Sequence, residues 1–116
     1  MDIARLQQRL REFTAERDWG QFHSPKNLAM ALTSEAGELA EVFQWMTEDQ
    51  SRTLDESSTN MAAAKEELAD VMIYLLRLAD VLHVNLEEAI NEKLALNEAK
   101  YPVDVSRGNA TKYNRR

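Results

Sequence analysis

The sequence of 116 residues has no cysteine, three glycines, two prolines and two histidines, and only 7% of it is aromatic. Without cysteine there is neither a disulfide framework nor a thiolate metal site. With so few breakers, and with Ala, Leu, Glu, Lys, Gln and Arg abundant, the composition points to helices. Strand-like alternation, hairpin signals and an internal repeat of fixed period are all missing. No apolar run follows Met1-Asp2, so no signal peptide is expected. No hydrophobic stretch is long enough to span a bilayer. A cytoplasmic setting is the expectation. There is no P-loop and no Gly-rich phosphate cradle. Basic residues are the minority, 14 against 20 acidic, for a net charge of -6. That balance argues against nonspecific binding to nucleic acid, which is driven by phosphate neutralisation.

What remains suits one domain with a real but modest core. Residues 1–101 read as a single helical domain and residues 102–116 as a polar, basic tail. Acids are frequent between residues 35 and 70, whereas Lys93, Lys100, Arg107, Lys112, Arg115 and Arg116 make the C-terminal segment basic. An acidic wall with a basic segment suits a metal-bound anionic ligand, although charged tails are commonly just solvated.

The pattern predicts a first amphipathic helix over about Ile3 to Asp18, with Ile3, Leu6, Leu10 and Phe13 spaced three or four apart. Asp18 to His23 reads as a loop. Ser24-Pro25 starts a second helix, Ser as N-cap and Pro at the first helical position, running to about Met46. Residues 47–59 are polar and read as a mobile connection that has room for a short helical turn. A third helix runs from about Asn60 to His83, its core face formed by Leu68, Val71, Leu75, Leu78 and Leu82. The stretch Val71 to Leu76 is apolar on nearly every side and must be covered all round. Four helices in one chain can hardly do so, which leads to the expectation of a homo-oligomer, a homodimer or homotetramer. Asn85-Leu86-Glu87-Glu88 resembles a capping box that opens a fourth helix to about Lys100, and Tyr101-Pro102 ends it. The last fifteen residues read as irregular. The expected fold is an all-α four-helix bundle.

Two acidic pairs stand out, Glu35-Ala-Gly-Glu38 and Glu67-Leu-Ala-Asp70. On a helix, residues three apart project from the same side. Glu35 falls in line with Leu28, Leu32, Leu39 and Val42, where an apolar residue belongs, and no cation on either helix lies on that stripe. A buried carboxylate is normally paired or bound to metal. Gly37, in the helix interior, would let a backbone or ligand come close, at a cost of about 1 kcal/mol relative to Ala. Such pairs are also common on helices that merely face water, and the pattern leaves both readings open. Di-iron bundles use Glu-x-x-His, and neither His23 nor His83 follows one of these acids by three. An all-oxygen set fits Mg²⁺, with Mn²⁺ a possible substitute, and phosphoryl chemistry.

Together these residues resemble the MazG-like all-α nucleoside triphosphate pyrophosphohydrolases. The two acidic pairs match the signature. Glu16-Arg17-Asp18-Trp19, Phe22-His23-Ser24-Pro25 and Asn27-Leu28 precede the first pair in the manner of the dCTP-directed branch. Glu38-Leu39-Ala40-Glu41, Phe43-Gln44-Trp45, Glu66-Glu67-Leu68-Ala69-Asp70-Val71 and Ile73-Tyr74-Leu75 continue it, with Lys93, Asn97, Tyr101-Pro102 and Lys112-Tyr113 near the end.

The resemblance implies Mg²⁺-dependent hydrolysis of a nucleoside triphosphate between the α and β phosphates. It makes Glu35, Glu38, Glu67 and Asp70 the metal ligands, with Glu38, or Glu35, able to orient or deprotonate the attacking water. Trp19 and Trp45 would sandwich the base, although either indole also suits a core. His23 would meet the base edge or a phosphate. Tyr74, one turn beyond Asp70, would reach the sugar or a water, or else is a core tyrosine. Lys93 would be a phosphate ligand and Asn97 a sugar or phosphate contact. A dUTP-directed or broad-specificity pyrophosphohydrolase of the same fold, and a non-enzymatic helical module with an acidic partner-binding face, are the rival readings.

Overall fold

A computed structural model describes residues 1–115; Arg116, the last of the basic C-terminal residues, lies outside them. The described residues are all-helical, with no strand. They comprise α1 (Ile3–Glu16), α2 (Pro25–Phe43), the short α3 (Glu48–Arg52), α4 (Thr59–Val81), α5 (Leu86–Lys100) and the short α6 (Val103–Ser106). Single 3₁₀ turns lie at Gly20–Phe22 and Tyr113–Arg115. No helix is long and apolar enough to cross a membrane among the described residues. The chain divides into two compact units, residues 1–83 and the part from Val84 onward.

In the first unit α2 packs along α4, and α1 packs against α4. The Gln7 amide Nε2–H donates to the Leu76 carbonyl at 3.0 Å, and Arg11 pairs with Asp80 at 2.7 Å, tying α1 to α4. The α2 stripe is as expected: Leu28 is buried, and Leu32, Glu35, Leu39 and Val42 are half-buried. The α4 core face is borne out in part: Val71, Leu75 and Leu78 are half-buried. Leu68 and Leu82 are 57% and 50% exposed, while Ala64, Leu76 and Ala79 are buried. Where two helices approach closely, small side chains let the backbones meet, and a leucine one turn away is left outside.

The helix ends follow local chemistry. Ser24 Oγ accepts the Asn27 amide N–H at 3.1 Å, and Pro25 occupies the first helical position. Asn85 caps α5 by accepting from Glu88 N–H. The connection over 47–59 is more ordered than its polar composition suggests. Thr47 and Gln50 form both halves of a capping box that starts α3. The C-terminal segment, expected to be irregular, carries α6 and the turn at Tyr113–Arg115. In it the Tyr101 and Tyr113 rings meet edge to face at 5.9 Å.

α1 stops two residues earlier than its apolar spacing implies. The Trp19 N–H donates to the Thr14 carbonyl at 3.0 Å and the Asp18 N–H to the Ala15 carbonyl at 3.1 Å. These are the two bonds of a Schellman closure. Asp18 adopts the left-handed conformation (φ 53°) that glycine usually supplies there. The reversal brings Trp19 back against Phe13, ring centroids 5.8 Å apart and edge to face. His83, after the end of α4, adopts the left-handed conformation too, at φ 58°, its N–H donating to the Asp80 carbonyl at 3.1 Å.

Candidate functional site

The helix pair α2 and α4 brings the acids together. Glu35 and Glu38 share one side of α2, Glu67 and Asp70 one side of α4, and α2 lies along α4. Glu35, Glu38 and Glu67 each offer a carboxylate oxygen, and these oxygens all lie within 4.8 Å of one another. Glu38 is exposed; Glu35 and Glu67 are half-buried. One oxygen of Glu35 and one of Glu67 are fully buried without a hydrogen-bond partner. Among the described residues, no Lys, Arg or His forms an ion pair with any of the four acids.

Such crowding resists ionisation. The Glu35 carboxyl is pushed up from its ordinary value to about 7. Its close approach to the Glu38 carboxyl is the largest cause; burial and the charges of Glu38 and Asp70 add to it. Glu67 is raised by burial first and then by the charge of Glu38. Asp70 stands outside the triplet of close oxygens, and its charge bears on both. Gly37 has no neighbour within 4 Å of where a Cβ would stand, so nothing among the described residues makes the close approach its position suggested.

A cavity of about 290 Å³ opens beside the cluster, lined on its polar side by His23, Glu35, Asp70, Tyr74 and Arg77. Trp19, Phe13, Leu10 and Ile73 give it apolar walls. The α1 closure and the 3₁₀ turn after it put Trp19 and His23 there; the Asn27 amide, donating to the Phe22 carbonyl at 2.9 Å, holds that turn to the start of α2. Five of the residues singled out in the sequence therefore line one cavity: Trp19, His23, Glu35, Asp70 and Tyr74. Trp45 does not. It follows α2 in a turn and is 88% exposed, so the two indoles do not enclose this cavity within one chain. Lys93 and Asn97 lie four apart on α5, in the second unit.

Arg77 is the cavity residue that the sequence reading missed. A signal was there: Asp70, Tyr74 and Arg77 are spaced four and three apart, a polar stripe running through the apolar stretch that follows Asp70.

Comparison with known proteins agrees with this geometry. A model of the MazG-like family matches residues 30–115. The chain is 49% identical over 112 residues to dCTP pyrophosphatase 1 of Mus musculus, covering 97% of this chain and 64% of that protein. The human dCTP pyrophosphatase 1 is 46% identical over the same length. The chain thus spans just under two thirds of the length of these curated relatives. The crystal structure of a pyrophosphatase from Archaeoglobus fulgidus superposes with a TM-score of 0.80 at 42% identity, covering 88% of this chain and 94% of that one.

Proposed function

The chain belongs to the MazG-like family, and on that premise we propose that it hydrolyses a nucleoside triphosphate to the monophosphate and pyrophosphate. The preferred substrate is dCTP or a modified dCTP, and the role is sanitation of the nucleotide pool in the cytoplasm. One observation carries the reading. Two buried carboxylate oxygens without partners sit in a cluster of three acids, and one of those acids lines the same cavity as an indole and an imidazole. The relatives named as dCTP pyrophosphatases support the choice of base.

The donors fit a hard divalent cation. They are all carboxylate oxygens, they converge, and no cation among the described residues pairs with them, which suits Mg²⁺ with Mn²⁺ as a substitute. Glu35, Glu38, Glu67 and Asp70 would hold the ion. When bound, it supplies the charge that neutralises the triphosphate and polarises the phosphorus under attack.

The chain's own groups do the rest. Glu38, the exposed member of the cluster, orients the attacking water and accepts its proton, with Glu35 beside it as the second acceptor. Trp19 gives the base a face to stack on, worth about 1–3 kcal/mol. His23 meets the base edge. The Tyr74 hydroxyl serves the sugar. Trp45 is a second stacking face, uncovered in the single chain. Lys93 and Asn97, on one face of α5, are assigned to phosphate and to sugar or phosphate by the family resemblance alone.

The functional assembly is a homodimer or homotetramer. Met30, Leu68 and Ile73 of the first unit are 61%, 57% and 42% exposed, and they are large apolar side chains for which a second copy is the natural cover. The test of the activity is a panel of nucleoside triphosphates assayed with and without Mg²⁺. Turnover should require the metal, favour dCTP, and vanish in Glu35→Gln while the protein stays folded. No turnover with any divalent cation would refute the reading and favour a partner-binding module instead.

A further inference from the structure

The guanidinium that lines the cavity does not pair with the acidic cluster. Arg77 lies two turns beyond Asp70 on α4, and its side chain is only 14% exposed. Its Nε–H donates to His23 Nδ1 at 3.1 Å, joining two residues 54 apart in sequence. Its Nη1 stands 3.5 Å from Asp80 Oδ2, and the other Asp80 oxygen takes Arg11 Nη1 at 2.7 Å. The guanidinium is thus held from two sides, by a carboxylate and by an imidazole.

A guanidinium has donors and no acceptor, and it does not lose its proton in proteins. His23 Nδ1 must therefore offer a lone pair, and the ring's single proton sits on Nε2. Protonating Nδ1 would break the bond and set two cations together. The His23 pKa is accordingly pushed below its ordinary value, by burial first and by the Arg77 charge second.

A free imidazole is ambivalent. By moving its proton it can present either a donor or a lone pair at Nε2, so it could satisfy an acceptor or a donor on a base. The bond from Arg77 removes that choice. We propose that Arg77 is a positioning residue that locks His23 as its Nε2–H tautomer, so that the cavity offers the base a fixed donor and selects cytosine over uracil. Cytosine carries a bare N3 beside O2, two adjacent acceptors. In uracil N3 bears a hydrogen, which would face the Nε2–H donor to donor and leave both unsatisfied. The proposal rests on the nucleotide reading above and adds how the base is told apart.

The experiment combines ¹⁵N NMR of the histidine rings with kinetics on dCTP and dUTP, in wild type, Arg77→Ala and Arg77→Lys. Arg77→Ala leaves Asp80 paired with Arg11, so no charge is orphaned. In wild type, His23 Nδ1 should resonate as an unprotonated nitrogen and Nε2 as a protonated one, with the exposed His83 as internal comparison. In Arg77→Ala the ring should become a tautomer mixture. The preference for dCTP over dUTP in kcat/KM should fall about tenfold, through KM rather than kcat. Arg77→Lys, which keeps a donor-only cation, should retain more of the preference. A protonated Nδ1 in wild type, or an unchanged dCTP/dUTP ratio in Arg77→Ala, overturns the proposal. Failure of the nucleotide reading looks different: no triphosphate is turned over by wild type although the ring spectrum is as expected, which removes base selection along with the substrate.

Discussion

Metal binding to the acidic cluster should be strongly pH-dependent near neutrality, because the cation must displace a proton that the crowded carboxyls hold. In the metal-free protein the neighbouring carboxyls and burial push Glu35 up to about 7. At pH 6 it is therefore about 90% protonated and at pH 8 about 10%, so binding Mg²⁺ releases close to one proton at the lower pH and almost none at the higher. The apparent affinity should weaken about tenfold between pH 8 and pH 6 from Glu35 alone, and the upward shift of Glu67 adds in the same direction. The sign is the same for folding. A carboxyl raised in the folded state stabilises the metal-free protein below its unfolded value of 4.5, and that contribution is lost as pH rises through about 7. Added Mg²⁺ should reverse this, stabilising most at high pH, where the acids are ionised and repel one another. Isothermal titration in two buffers of different ionisation enthalpy counts the protons directly. Glu35→Gln should weaken binding and abolish most of the proton release near pH 6. A flat affinity between pH 6 and pH 8, or proton release unchanged in Glu35→Gln, would refute the reasoning.

Three further outcomes are expected. Leu28→Ala, at a site 1% exposed, should destabilise the protein by about 2–5 kcal/mol in chemical denaturation; a loss under 1 kcal/mol would mean the α2 stripe is not the core. Trp19→Ala should raise the KM for dCTP by about tenfold or more with Mg²⁺ affinity unchanged, whereas an unaltered KM would restrict the indole to its edge contact with Phe13. Light scattering at micromolar concentration should give a dimer or tetramer, and a clean monomer would leave the exposed Leu68 and Ile73 without the cover proposed for them.

Much of the site was legible because it is written locally. The i,i+3 acids, the apolar stripe interrupted by Glu35, and the Ser24-Pro25 helix start each depend on neighbours within a turn or two. The features that escaped depend on tertiary placement. Nothing local says that Arg77 meets His23, since the bond spans 54 residues and forms only once α4 lies beside the loop after α1. The Schellman closure at Asp18 lacks the glycine that usually announces it. On α4 the expected core leucines at the two ends, Leu68 and Leu82, lie outside, while Ala64 and Ala79 are buried with Leu76. The Thr47–Gln50 capping box was concealed in a polar run whose composition resembles an unstructured link.

The central claim is that the four carboxylates bind a metal for attack between the α and β phosphates. Phosphorus NMR of dCTP incubated with the protein and Mg²⁺ tests it most directly. The monophosphate and pyrophosphate should appear in equal amounts, with neither diphosphate nor orthophosphate, and the reaction should stop when the metal is chelated. Orthophosphate with dCDP, or turnover that survives chelation, would contradict it.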